Sequence, residues 1–246
     1  MKNFKISIIT VVKNGMPYLK EAVNSFNNQT YKNIEQIVVY SKSVDDTENY
    51  LLKLKNIKII KDYNSVNKFG SLNLALKYCS GDYIGILHSD DLFNDNKTIE
   101  KIVNFLKYNN SDVIYGNIKF CSKFNTKKII RIWKSNNFKR SKLKFGWMPP
   151  HTSIFLKKEI FEKNLYSEKY SISGDYEFIL RIFLNKKYLI NFMNEFLITM
   201  RSGGDSTNFK LFYKKFYQDL VIARKFFKNY IVCVILKILR KINQLF

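Results

Sequence analysis

The sequence of 246 residues is poor in the residues that punctuate a chain, with only 9 glycines and 3 prolines. That scarcity argues against a collagen-like, low-complexity or disordered chain, and an apolar fraction of 46% with 16% aromatics points to a globular one. Cys79, Cys121 and Cys233 are too few and odd in number for a disulfide framework, and no CxxC or CxxH spacing marks a zinc site. A reducing cytosol suits such a chain. No run reaches the roughly 18 apolar residues that a membrane-spanning helix needs. The opening MKNFKISIITVV carries Ser7 and Thr10 and no small-residue cleavage site, so it reads as a first strand rather than a secretion signal. The GxGxxG fingerprint and the Walker A loop are both missing, which speaks against a standard NAD enzyme and a P-loop NTPase. There is no internal repeat.

Acidic residues are also scarce: 20 Asp and Glu against 42 Lys and Arg leave a formal net charge of +22. Such a surface attracts something anionic, whether nucleic acid, acidic lipid or a phosphorylated substrate, although a coding bias toward lysine would produce the same excess. No zinc pattern, RNP motif or basic-aromatic RNA platform is present, so nucleic acid is not an expected partner.

What is there is an alternation. Ile6 to Val12 is a continuous β-branched run, as in a strand buried on both faces. Pro17 then opens a helix in which Leu19, Ala22, Val23 and Phe26 share a face. A second strand follows at Ile34 to Val39, with others at Tyr83 to Leu87 and Val113 to Tyr115. Helical periods recur at Leu72, Ala75, Leu76 and Cys79 and at Ile99, Ile102, Val103 and Leu106. Repeated βαβ units predict an α/β fold with a doubly wound, mainly parallel sheet. Ligands then bind beyond the carboxyl ends of the strands, where the loops after Val12, Val39 and Leu87 line one crevice. From residue 117 the pattern is less regular, with strand-like pieces at Ile129 to Trp133 and Thr152 to Phe155 and helices at Lys158 to Asn164 and Asp175 to Leu184.

GDYIGILHSDD, Gly81 to Asp91, sets two adjacent carboxylates just past a hydrophobic strand. Hard cations such as Mg²⁺ or Mn²⁺ combine one or two carboxylates with phosphate oxygens, so Asp90 and Asp91 suit a metal. Equally, Asp91 suits a helix cap and Asp90 a solvated loop. Asp175, at the start of a helix, reads as a cap favoured by the helix dipole, and Glu177 and Arg181 as an i, i+4 pair.

ISIITVVKNG, NQTYKNIEQIVV, SVDDT, GDYIGILHSDD, GDYEFILR and RSGGDS occur in that order between residues 6 and 206. Together they resemble the family 2 glycosyltransferases with the GT-A fold, of the type that builds bacterial cell-surface polysaccharides. The resemblance implies a GT-A domain over residues 1–207, with a nucleotide-binding half at 1–116, an acceptor half at 117–207 and a basic tail at 208–246. It also implies inverting transfer from a nucleoside-diphosphate sugar, foremost a UDP-sugar, to a glycan or lipid-linked acceptor, with Mg²⁺ or Mn²⁺ as cofactor. HSDD sits at the position of the family's DxD motif, so Asp90 and Asp91 would meet the metal, and His88 stands where the first acid commonly meets the ribose. Thr10, Tyr40 and Lys68 match donor-contacting positions, Tyr40 where an Asp often pairs with the base. Asp175 matches the general base, and His151, after Trp147 to Pro150, matches an acceptor-side loop. Rival readings are another metal-dependent nucleotide-sugar or nucleotidyl enzyme, which needs no base at Asp175, and a non-enzymatic basic binding protein.

Beyond Asn208 the chain is basic and aromatic. Phe209, Phe212, Tyr213, Phe216, Tyr217 and Leu220 recur at helical spacing, with Lys210, Lys214 and Lys215 between them. Ile231, Val234, Ile235, Ile238 and Leu239 form a second stripe, beside Lys237, Arg240 and Lys241. These stripes suit an anionic membrane surface, with the enzyme peripheral on the cytoplasmic face. They suit equally well packing on the catalytic domain or a second copy in a homo-oligomer.

Overall fold

The computed structural model describes residues 3–203 and 211–242. The expected motif residues Gly204, Asp205 and Ser206 and the expected tail residues Phe209 and Lys210 lie outside the described residues, as does the side chain of Lys241. The chain runs β1 (Ile6–Val12), α1 (Tyr18–Asn27), β2 (Ile34–Tyr40), α2 (Thr47–Leu52), β3 (Lys58–Lys61), α3 (Lys68–Leu76) and β4 (Tyr83–Ile86). It continues through β5 (Leu92–Phe93), α4 (Thr98–Tyr108), β6 (Val113–Cys121) and β7 (Ile129–Trp133) to two 3-10 turns at Arg140–Phe145 and His151–Ser153. β8 (Phe155–Lys157), α5 (Lys158–Lys163), α6 (Gly174–Leu184), β9 (Ile190–Arg201), α7 (Phe212–Phe226) and α8 (Tyr230–Ile242) complete it.

One sheet orders its strands β3-β2-β1-β4-β8-β6-β9-β5, with β7 on β6. β1 pairs in parallel with β2 and β4, β2 with β3, and β6 with β9, while the antiparallel pairings all involve β5, β7 or β8. Successive strand residues point to opposite faces, and this sorts the core. Ile9, Ile37 and Val39 face α3 and α6 through Phe69, Leu72, Tyr176 and Phe178. Ile6 and Ile8 face α4 through Ile99, Ile102 and Val103, and Val12 and Val38 face α1 through Leu19 and Val23. Each such side chain contributes about 1.5–3 kcal/mol on burial, so these two faces fix the register of β1: a slip by one residue would exchange them.

Besides α2, β3 and β5, where no element was expected, two elements differ from the sequence expectation. Thr152 and Ser153 form a 3-10 turn and β8 begins only at Phe155, because Ser153 Oγ is committed to the carbonyls of Gly116 at 3.0 Å and Pro150 at 2.9 Å. β9, a strand of 12 residues, falls where no element was expected.

The tail is built into the domain. Ile222, Ala223 and Val234 belong to the same buried cluster as Tyr176 and Phe178. α8 lies against the turn at Gly146, whose φ of 74° lies in the left-handed region; a Cβ there would come within 2.6 Å of Cys233 O. Lys237 is therefore not free to reach headgroups, contrary to the sequence expectation. Only 4% of its side chain is exposed, its ammonium meets Asp219 at 2.8 Å and it lies 3.4 Å from the Tyr176 ring centre. The Asp219 contact is one of charge, without hydrogen-bond alignment. Burial draws the Lys237 ammonium down to about 8 even with Asp219 opposing it.

Candidate active site

β4 delivers the paired carboxylates. Leu87 extends its pairing by donating to Ile9 O at 3.0 Å, and a turn closed by Asp91 N on His88 O at 3.1 Å then lifts His88–Asp91 off the carboxyl end of the sheet. Asp90 is partly exposed, whereas Asp91 is 1% exposed and its Oδ1 accepts from Arg201 N at 3.2 Å. Arg201 is itself held by Glu21 at 2.6 Å and by the carbonyl of Lys123 at 2.8 Å, so the carboxylate loop is tied to the end of β9. The second oxygen, Asp91 Oδ2, is buried with no hydrogen-bond partner. Burial first and the adjacent Asp90 second push the Asp91 carboxyl well above the usual range.

An orphaned carboxylate oxygen next to a second, accessible carboxylate fits a divalent cation, which would relieve the crowding of like charge. Among the described residues no group of three His, Cys, Asp or Glu side chains is assembled to hold a metal. A cation here would thus complete its shell with phosphate oxygens and water, as Mg²⁺ commonly does.

α6 delivers Asp175 in its first turn. Its Oδ1 accepts from Tyr176 N at 2.8 Å, which fixes the carboxylate at the helix end. Burial raises this carboxyl, but Lys215, His151 when protonated, Lys68 and Lys237 outweigh it and hold the group below the ordinary carboxylate range. Asn67 caps α3 by accepting from Phe69 N at 3.0 Å, which places Lys68 at the first helical position. His88 and His151 lie with ring centres 6.3 Å apart, and His151 Nε2 shares a hydrogen bond of 2.9 Å with Tyr166 OH. Burial, Lys68 and His151 draw His88 down to about 4 against the pull of Asp90 and Asp175. Burial also lowers His151, so both rings are neutral near pH 7. Glu177 and Arg181 form their expected pair at 3.0 Å, and Arg181 also donates to Leu165 O at 2.7 Å, which fastens α6 to the turn before Tyr166.

Lys68, His88, Asp90, His151 and Asp175, from four separate segments, thus come within electrostatic reach of one another beyond the carboxyl end of β4. Thr10 and Tyr40 do not join them. Thr10 is fully buried with its Oγ1 accepting from Gln36 Nε2 at 3.0 Å, and Tyr40, 4% exposed, donates to Glu48 at 2.9 Å. Both point to the α1 and α2 face, because strand alternation gives the crevice face to Val11 and Val39. The period of two along β1 and β2 already contains that information. Tyr166 was not expected at the site, and a tyrosine in a loop carries no signal in the sequence.

The sequence profile of the family described as Glycosyl transferase family 2 matches residues 7–165. The chain belongs to that family. Among curated relatives, a glycosyltransferase of Rickettsia prowazekii, itself uncharacterised, is 32% identical over 87% of this chain and 70% of its own length. One of Methanocaldococcus jannaschii is 29% identical over 75% of this chain and 66% of its own length. The chain thus spans about two thirds of the length of these relatives. Among solved structures, Staphylococcus aureus TarS 1-349 in complex with UDP-GlcNAc superposes with a TM-score of 0.71, at 18% identity, over 89% of this chain and 65% of that one. This family 2 glycosyltransferase therefore has the GT-A fold, with the sheet and C-terminal helices described above.

Proposed function

We propose that the chain catalyses inverting transfer of a sugar from a nucleoside-diphosphate donor, foremost a UDP-sugar, to a hydroxyl of a glycan or lipid-linked acceptor in cell-surface polysaccharide synthesis. The observation that carries this reading is the convergence of Asp90 and Asp175 on one crevice, the former beside an orphaned carboxylate oxygen, the latter held ionised. The TarS structures with UDP-GlcNAc and UDP support a nucleotide-sugar partner.

Asp175 takes the proton of the acceptor hydroxyl as that oxygen bonds to the anomeric carbon. The bond from that carbon to the diphosphate oxygen breaks, and the nucleoside diphosphate departs with the electron pair. A Mg²⁺ or Mn²⁺ ion held by Asp90, with Asp91 behind it, would neutralise the charge gathering on the diphosphate. Lys68 adds a cation to the crevice, and the neutral rings of His88 and His151 offer hydrogen bonds to sugar or acceptor hydroxyls. A single displacement inverts the anomeric configuration. NMR of the product of a UDP-sugar is expected to show inversion, and retention would overturn the mechanism. Thermal shifts with UDP, GDP and dTDP, with and without Mn²⁺, are expected to favour UDP plus Mn²⁺, since a ligand at about 100 times its Kd adds roughly 2.7 kcal/mol.

The same reading sets the enzyme peripherally on the inner face of the membrane. No helix among the described residues is long and apolar enough to cross one. α8 nonetheless exposes Ile231 (52%), Val232 (52%), Ile235 (47%) and Leu239 (49%), with Lys228 and Arg240 exposed nearby. An apolar stripe with basic residues beside it suits an anionic lipid surface, each cation adding about 1 kcal/mol. Ile231→Glu with Ile235→Glu should release the protein from phosphatidylglycerol vesicles while leaving nucleotide binding intact. Undiminished sedimentation with the vesicles would remove the anchor, and a change of oligomeric state instead would assign the face to a second copy.

A further inference from the structure

The helix that carries the proposed base begins without a cap of its own. Ser173, at the N-cap of α6, makes no side-chain cap hydrogen bond, yet the first N–H groups of a helix need acceptors. The turn that leads into the helix is held instead from elsewhere in the chain. Gln218 on α7 is 8% exposed, and its Oε1 accepts from Ile172 N at 3.1 Å and from Ser173 N at 3.0 Å. Its Nε2 donates to Ser171 Oγ at 3.3 Å. One buried amide therefore holds three consecutive residues of the turn that leads into Asp175.

The next residue continues the attachment. Asp219 lies beside Ser173 and is 3% exposed, and it is gripped by Lys237 of α8 at 2.8 Å and Lys215 of α7 at 3.6 Å. The register of α7 against α6 is thus fixed both by the Gln218 amide and by a buried charge cluster reaching α8. The lysines of that cluster also face Asp175, together with Lys68 of α3, His151 of the 3-10 turn and His88 of the carboxylate loop. None of these contacts is needed to bury apolar surface, which Ile222, Ala223 and Val234 already accomplish.

From this geometry we infer that Gln218 is the positioning residue of the Asp175 base, so that the two C-terminal helices form a working wall of the active site. The inference rests on the assignment of Asp175 as base. A near-attack geometry tolerates little displacement, and an error of about 1 Å can cost 10²-fold in rate. Gln218→Leu keeps the volume and removes both the acceptor and the donor. Gln218→Asn keeps the amide but draws it back by one methylene. Gln218→Glu keeps an acceptor in place for both N–H groups.

The experiment measures UDP release from UDP-N-acetylglucosamine and UDP-glucose with Mn²⁺ in the full chain. It is paired with donor binding, amide exchange at Ile172 and Ser173, and melting temperature. The Leu and Asn variants are expected to lose at least about tenfold in kcat with donor KM unchanged, to exchange those two amides faster, and to be rescued largely by Glu. Val103→Ala, a cavity in α4 across the sheet, supplies a destabilised control with wild-type kcat. If either the Leu or the Asn variant keeps the kcat of that control, Gln218 merely packs and the inference fails. If Asp175→Asn retains full turnover, it is the assignment of the base that fails.

Discussion

Asp175→Asn is expected to leave the fold and the donor affinity in place and to lower turnover by about 10²- to 10⁴-fold, the share usually supplied by a positioned base. An asparagine can keep the one contact the carboxylate makes with its own helix, because the amide oxygen also accepts from Tyr176 N, now bonded at 2.8 Å. What the amide cannot do is take a proton. The surrounding lysines hold Asp175 ionised against the cost of its burial, so titration of this base places no acid limb on turnover in the ordinary carboxylate range. The sign of the stability effect follows. A carboxyl depressed in the folded state contributes stability above its unfolded value of about 3.9, and that contribution is lost as the pH falls through the folded value. The Asn variant should therefore melt lower than wild type near pH 7 and converge with it in acid. Equal losses of donor affinity and stability, with turnover falling no further, would show that Asp175 holds its helix and is not the base.

The second large effect is at the other end of the crevice. Asp90→Ala is expected to abolish transfer and remove the Mn²⁺-dependent part of nucleotide binding, measured by titrating UDP with and without Mn²⁺. Asp90 is partly exposed, so its removal opens no cavity in the apolar core. It also takes away the like charge that helps push Asp91 up, so a lone Asp91 remains, buried and already bonded to Arg201 N. At 1% exposed and with Oδ1 committed to Arg201, that residue offers a cation one oxygen only, without the accessible carboxylate beside it. Mn²⁺-dependent binding that persists in a folded Asp90→Ala protein would move the cation elsewhere.

The parallel half of the fold was legible because burial on both faces writes continuous apolar runs, as in Ile6–Val12, and because α1 and α4 bury one helical face each. β9 was not legible. Its burial alternates poorly, and register shifts against β6 near Tyr115 and Asn117 interrupt the period of two. At the site, the carboxylates were legible from their place after a strand. Thr10 and Tyr40 were placed on the crevice by motif position, although alternation along the strand turns their side chains away. Gln218 left no trace in the sequence, because a single glutamine in a basic helix looks like solvent-facing surface until the partner turn at Ile172 and Ser173 is known.

The glycine at position 146 has a bearing on how this enzyme could be recombined with its relatives. The family profile ends at residue 165, so a chimera cut there would transplant the carboxylate loop and the turn containing Gly146 but leave α8 behind. A side chain in place of Gly146 would meet the backbone of Cys233 and Lys237, so a helix packed as α8 is can approach this turn only where residue 146 lacks a Cβ. A graft that sets any helix in the place of α8 must therefore keep glycine at 146, whichever parent supplies the turn.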